Sequence, residues 1–128
     1  MTAILNIVES AYRGTVEEQD DTILWVSQVF RGGGDAVTVL LRANAVNYIV
    51  RGQDASGLSF GNWRQTQPPR LDQDIERLIA KGVRVLYVAS DAHDRGISAA
   101  MPLVPGVCPV DARALPELFA EHDHVWYW

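Results

Sequence analysis

The sequence predicts an α/β fold: a single domain of three layers, α/β/α, around an open, mainly parallel sheet of about five strands. Three observations predict it. Apolar runs of strand length alternate along the chain with segments of helical period, the pattern of βαβ units. Two of those runs, AVTVLL at 36–41 and VRVLYV at 83–88, are apolar nearly throughout, as strands covered on both faces must be. At 128 residues the chain has room for one core and not for two.

Taken in order, Ile4 to Val8 is the first strand. Thr15 opens a helix, because Thr15-Val16-Glu17-Glu18 has capping-box spacing and Glu17, Glu18, Asp20 and Asp21 put negative charge at the positive end of the macrodipole. Ile23, Val26 and Phe30 recur on one face of that helix, with Thr22 and Val29 beside them, and Gly32-Gly33-Gly34 ends it. The glycine run follows a helix and precedes a strand, the reverse of a phosphate cradle, so it reads as a C-cap and turn. Ala36 to Leu41 is the second strand, parallel to the first if the crossover is right-handed. A short helix through Asn44, Val46, Tyr48 and Ile49 follows, then a long loop from Gly52 to Pro69 in which Leu58, Phe60 and Trp63 are the apolar exceptions. Aromatic residues in so long a loop are expected to dock, onto a neighbouring subunit ahead of the chain's own surface.

Leu71 to Lys81 is a helix with Leu71, Ile75, Leu78 and Ile79 on one face, acids near its start and Gly82 as its stop. Val83 to Val88 is the next strand, and Asp91-Ala92-His93-Asp94 is expected to cap a short helix after it. Between Ile97 and Pro109 the prolines allow at most a short edge strand around Val107. A last helix over Ala112 to Ala120 should turn Leu115, Leu118 and Phe119 inward with Pro116 in its first turn. Val125 to Trp128 closes the sheet, its aromatic residues buried there or between subunits.

Composition narrows the function. The hydrophobic fraction of 48% and charged fraction of 21% are those of a soluble globular protein, with no apolar run of spanning length. The N-terminal MTAILNIVES has no basic leader and reads as a strand, so a cytoplasmic protein is expected. A net charge of −5, with Lys81 the one lysine, argues against nucleic acid or an anionic membrane as partner. One cysteine, Cys108, excludes an internal disulfide framework and a thiol metal cluster, and no cofactor or metal is implied.

Ligands of open α/β sheets bind outside the carboxyl ends of the strands. That places Ser90, Asp91, His93 and Arg95 at the likeliest position, joined by Glu9, Ser10 and Tyr12 after the first strand and by Arg42 and Asn44 after the second. Small-ligand binding ranks ahead of catalysis there. An acid–base site would use His93 as the base, oriented by Asp91 or Asp94, though both acids also serve as capping residues. Cys108 reads first as a small apolar residue and second as a thiol nucleophile. His122-Asp123-His124 lacks an evident third metal ligand and reads as surface polarity before the last strand.

The turn Ala11-Tyr12-Arg13-Gly14-Thr15, the segment Val83 to Gly96, and the run from Gly106-Val107 through Leu115 to Val125-Trp126-Tyr127-Trp128 resemble the DsrE/DsrF/TusD-like sulfur-relay family over nearly the whole chain. The resemblance implies small α/β domains assembled as trimers or hexamers, with a persulfide-bearing cysteine eight residues before the glycine of the Arg-Gly pair and in some members a second one three residues later. Those positions hold Val88 and Asp91 in this chain, and neither can carry a persulfide. A binding or structural subunit of a homo-oligomer, or of a hetero-oligomer with related subunits, is therefore expected, with a sulfur-carrier protein as a candidate partner. The alternatives are a sulfurtransferase using Cys108 and a small-ligand enzyme centred on His93.

Overall fold

Strands Ala3–Val8 (β1) and Ala36–Leu41 (β2) pair in parallel from Ala3 opposite Ala36 to Val8 opposite Leu41. The structure, a computed structural model, describes residues 1–12, 21–53 and 57–128. Helix Thr22–Gly32 (α1) lies between these strands, and a 3-10 helix, Ala43–Ile49, follows β2. Next come the two-residue strands Ser59–Phe60 (β3) and Trp63–Arg64 (β4), then helix Leu71–Ala80 (α2), strand Arg84–Val88 (β5) and helix Ala89–Asp94 (α3). Strand Cys108–Val110 (β6), a 3-10 turn at Ala112–Ala114, helix Leu115–Ala120 (α4) and strand His124–Tyr127 (β7) complete the order. The main sheet is five-stranded, β6-β5-β2-β1-β7, and every pair in it is parallel. The α/β sheet flanked by helices is the one the alternating pattern predicts.

The two faces of the sheet are covered unequally. On one, Val8, Val37, Val39, Leu41 and Val85 meet Ile23 and Leu24 of α1, Ile75 and Leu78 of α2, and Ala45, Tyr48 and Ile49 of the 3-10 helix. On the other, Leu5, Ile7, Leu40, Leu86 and Val88 lie under Leu118, with Val110 and Leu115 at the margin. The period-2 alternation sends Leu5 and Ile7 to this second face and Asn6 to the first. Asn6 is fully buried and satisfied: its amide donates to Ser27 Oγ at 2.9 Å, and its Oδ1 accepts from Trp128 Nε1 at 3.3 Å. Ser27 in turn donates to the Ile23 carbonyl, so this polar chain fastens β1, α1 and the last residue together.

Several expected boundaries shift. The Thr15 start and its capping box lie outside the described residues; α1 itself begins at Thr22, because Asp21 is extended (φ −75°, ψ 122°) and its carboxylate accepts from the Ile23 and Leu24 N–H groups. The inward face of α1 is Ile23, Leu24 and Ser27, with Val26 and Phe30 half-buried toward β7, so the expected stripe is rotated about the helix axis. The Gly52 to Pro69 loop contains the β3–β4 hairpin, turned by Gly61 (φ +58°) and Asn62. Phe60 and Trp63 lie against each other with centroids 5.9 Å apart, yet are 66% and 53% exposed, so they do not dock on their own domain. Gly82 (φ +89°) ends α2 as expected: its N–H meets the Ile79 carbonyl and that of Val83 meets Leu78, a Schellman closure. Phe119 is exposed rather than inward, because the short α4 turns only Leu118 fully under the sheet. Pro109 stands in β6, an edge strand, where a missing donor is tolerated.

Candidate functional site

The carboxyl ends of β1, β2 and β5 meet beside the 3-10 helix. Arg42 N–H donates to the Val8 carbonyl at 3.0 Å and Ala45 N–H to that of Glu9 at 3.3 Å, which ties the segments leaving β1 and β2. Ala43 holds a left-handed backbone (φ +49°), which disfavours a residue with a Cβ. It is retained by Asp91, whose Oδ2 accepts the Ala43 N–H at 2.8 Å. Asp91 therefore does not cap its own helix: α3 starts directly after Val88 with no side-chain cap, and Asp91, in its first turn, fixes the backbone of the neighbouring element instead. Asp94, the last residue of α3, is no N-cap either.

Arg95 completes the junction, its Nε donating to Asn44 Oδ1 and its Nη1 to the Asp91 carbonyl, each at 3.1 Å. The Arg42 guanidinium lies over the Tyr127 ring, 5.7 Å from its centroid. Partial desolvation and a hydrogen bond to Glu9 raise the Tyr127 phenol above its ordinary pKa, with Arg42 opposing and the charges of Glu9 and Asp91 adding to the rise. A second network sits behind this rim. Tyr48, fully buried, donates to Asp21 Oδ2 at 2.7 Å and accepts the N–H of Tyr12, which is itself left-handed (φ +58°). The Tyr12 phenol donates to Gln53 Oε1 at 2.6 Å, and the two tyrosine rings meet edge to face at 5.3 Å. Burial, followed by the Asp21 charge and hydrogen bond, drives the Tyr48 phenol far above the ordinary tyrosine range; burial also raises that of Tyr12.

The structure thus brings Asp91, Arg95, Asn44 and the Arg42 backbone together, with Tyr12 on the adjacent network. Ser90 and His93 stand exposed, and the imidazole has no hydrogen bond to Asp91 or Asp94 among the described residues, so the pairing an acid–base site would use is not formed. Tyr48, Gln53 and Tyr127 are the participants that sequence reasoning missed. Tyr48 carried a signal, an aromatic hydroxyl among the apolar residues Ala45, Val46 and Ile49 of a short helical stretch; Gln53 and Tyr127 carried none, since only the fold brings them to this edge.

Val88 is buried beneath Leu118 at the end of β5. Cys108 is exposed on β6, opposite Leu86, while Val110 is opposite Val88, which sets the thiol about 7 Å short of the carboxyl edge. Its Sγ lies 3.6 Å from the Gly106 carbonyl. His122 is not loose surface polarity: its ring bridges the Leu118 carbonyl (2.7 Å) and Thr38 Oγ1 (3.0 Å). Asp123 accepts from Ala3 N–H, and His124 stacks on Trp126. Among the described residues no group of three His, Cys, Asp or Glu side chains is placed to hold a metal ion. No helix among them is long and apolar enough to cross a membrane.

No family model matches the chain, and no curated protein matches it in sequence. Solved structures share its fold, two of them over nearly the whole chain. The ychN protein from E. coli superposes with a TM-score of 0.77 over 100% of both chains at 23% identity. A protein of unknown function from Methanobacterium thermoautotrophicum, MTH1491, superposes with a TM-score of 0.65 over 98% of this chain and 99% of its own, at 13% identity. At these identities the likeness establishes the α/β architecture.

Proposed function

We propose that this chain is a cytoplasmic binding or structural subunit on a sulfur-relay-type scaffold, self-assembling or joining related subunits as a trimer or hexamer and presenting no thiol at its strand-end site. One observation carries the reading. At the two positions where the resembling family keeps its cysteines, Val88 is sealed in the core and the Asp91 carboxylate is committed to the Ala43 N–H, so that edge is a structural junction. Around it the exposed His93 and Ser90, with the Arg42–Tyr127 pair, supply a polar rim for a small ligand or a sulfur-carrier partner and no thiol.

The exposure of Cys108 favours a second reading, a persulfide carrier with a relocated thiol. The two separate in one experiment. The protein is incubated with glutathione persulfide, desalted, and weighed intact beside the Cys108→Ser variant. An unchanged mass supports the thiol-independent subunit. A gain of one sulfur atom that disappears in Cys108→Ser replaces it with the carrier. Sedimentation of the untreated protein checks assembly, and a monomer at all concentrations would refute the oligomeric part.

A further inference from the structure

A cavity of about 330 Å³ lies at the amino ends of β1, β2 and β5, across the sheet from the strand-end junction, and its walls include Ala3, Arg31, Ala36, Thr38, Arg84 and His122. The alternation of the strands explains the opening. Ala3, Ala36, Thr38 and Arg84 share the face that carries Leu5, Leu40 and Leu86, the face covered by α4. That helix ends at Ala120, and the two alanines, opposite each other in the ladder, leave space that larger side chains would fill. His122 and Thr38 form a neutral wall. The Leu118 carbonyl can only accept, so Nδ1 of the imidazole carries the hydrogen and Nε2 takes the hydroxyl of Thr38.

The charge comes from two arginines. Arg31 reaches in from α1, on the other face, and is fixed before any ligand arrives: its Nε donates to the Lys81 carbonyl at 3.0 Å and its Nη1 to that of Asp35 at 3.3 Å. Its Nη2 lies over Gly82, where a Cβ would come within 3.1 Å of it. Among the described residues no carboxylate is within ion-pair distance of Arg31. Arg84 comes from the α4 face, and its one acidic partner among the described residues is Glu121, 3.7 Å away and itself exposed. Asp123, the other acid close by, is engaged by the Ala3 N–H at 2.8 Å. No residue lining the cavity is acidic, although the chain as a whole carries a net charge of −5.

We propose that this cavity binds the phosphate group of a small phosphate ester between Arg31 and Arg84. The inference is independent of the function proposed above, which concerns the opposite end of the sheet. The directions of the two arginines select the ligand. A planar carboxylate presents both oxygens along one edge and suits a single guanidinium, whereas a tetrahedral phosphate offers oxygens to donors arriving from two sides. Size points the same way. The cavity has the volume of roughly ten waters at ~30 Å³ each, enough for a phosphate and a few further heavy atoms.

Calorimetric titrations at fixed ionic strength test it with inorganic phosphate, glycerol 3-phosphate and acetate. Both phosphates are expected to bind and acetate is not, and amide spectra should place the shifts at Ala3, Ala36 and Thr38. Arg84→Gln removes an exposed side chain whose loss the fold tolerates, and should weaken phosphate binding roughly tenfold or more. Glu121→Gln removes the carboxylate that competes for Arg84 and should strengthen it about two- to fivefold. Glu117→Gln, the same change of charge one turn earlier on α4, should do much less, which separates a local site from a general effect of net charge. Three results overturn the site: no binding of either phosphate, acetate binding as well as phosphate, or Arg84→Gln binding like the parent protein. Inorganic phosphate bound with glycerol 3-phosphate excluded overturns the ester and makes free phosphate the ligand.

Discussion

Replacing Tyr48 by Phe tests the network behind the site at a single atom. The phenol oxygen is fully buried, donates to Asp21 Oδ2 at 2.7 Å and accepts the Tyr12 N–H, and Asp21 is itself the buried N-cap of α1. Phenylalanine keeps the ring and its packing, so the loss is polar. The Asp21 carboxylate forfeits a charge-assisted hydrogen bond worth about 1.5–3 kcal/mol, and the Tyr12 amide must find another acceptor at a cost of about 1 kcal/mol. An expected loss of about 3 kcal/mol is a large share of the roughly 5–15 kcal/mol of a typical domain. With a urea m-value of about 1.5 kcal/mol/M the midpoint should fall by about 2 M. The same group gives a pH signature. A tyrosine whose folded pKa is raised above its unfolded value near 10 contributes stability that is intact below pH 10 and is lost as pH rises beyond it, with a slope approaching about 1.4 kcal/mol per pH unit. Urea melts between pH 7 and 11 should show that decline in the parent protein and a shallower one in Tyr48→Phe. A midpoint shift below about 0.3 M, with parallel alkaline limbs, would refute the assignment.

Three further outcomes follow from the same structure. Asp91→Ala should destabilise by about 1–2 kcal/mol by orphaning the Ala43 N–H in its left-handed turn, while Asp91→Asn, which keeps an acceptor, should lose less than half of that in chemical denaturation; equal losses would point to charge instead of the hydrogen bond. Gly82→Ala should cost about 1–2 kcal/mol, since φ is +89° and a Cβ there would come within 3.1 Å of the Arg31 guanidinium, whose Nε holds the Lys81 carbonyl; a thermal melt unchanged within error would contradict it. On acidification, the hydrogen bonds from Arg113 hold Asp111 at about 2, below its ordinary value of 3.8, so its contribution at the start of the last helical segment is present above pH 4 and disappears toward pH 2. Removing the side chain in Asp111→Ala should flatten that stretch of the acid titration, as followed by circular dichroism.

The sheet was legible because its signal is local. Ala36 to Leu41 must be a strand buried on both faces whatever surrounds it, and Gly82 after a periodic Leu71–Lys81 segment must end a helix; both stand as read. The hairpin was legible in principle too, since Gly61-Asn62 between Phe60 and Trp63 is a two-residue turn signal, but the surrounding glycines and prolines masked it. The junction at the strand ends was legible only in membership. Asp91, Asn44 and Arg95 were gathered by topology alone, yet the role of Asp91 was misassigned. A carboxylate can satisfy any nearby orphan N–H, and its partner, Ala43, lies 48 residues away and is strained by a backbone angle that no sequence pattern announces.

That misassignment bears on how the site works. A carboxylate capping its own helix could be exchanged for serine or asparagine with little consequence, and the strand end would stay open to a ligand or a new nucleophile. A carboxylate spanning α3 and the 3-10 helix closes the space between them, and Arg95 reinforces it from the far end of the same helix through Asn44 and the Asp91 carbonyl. Cysteine at position 91 would release Ala43 from its hydrogen bond at the same moment that it supplied a thiol. Placing a thiol at this edge without loosening the junction therefore requires more than one substitution: a cysteine in place of the carboxylate, and a glycine at position 43 to take the left-handed turn without strain.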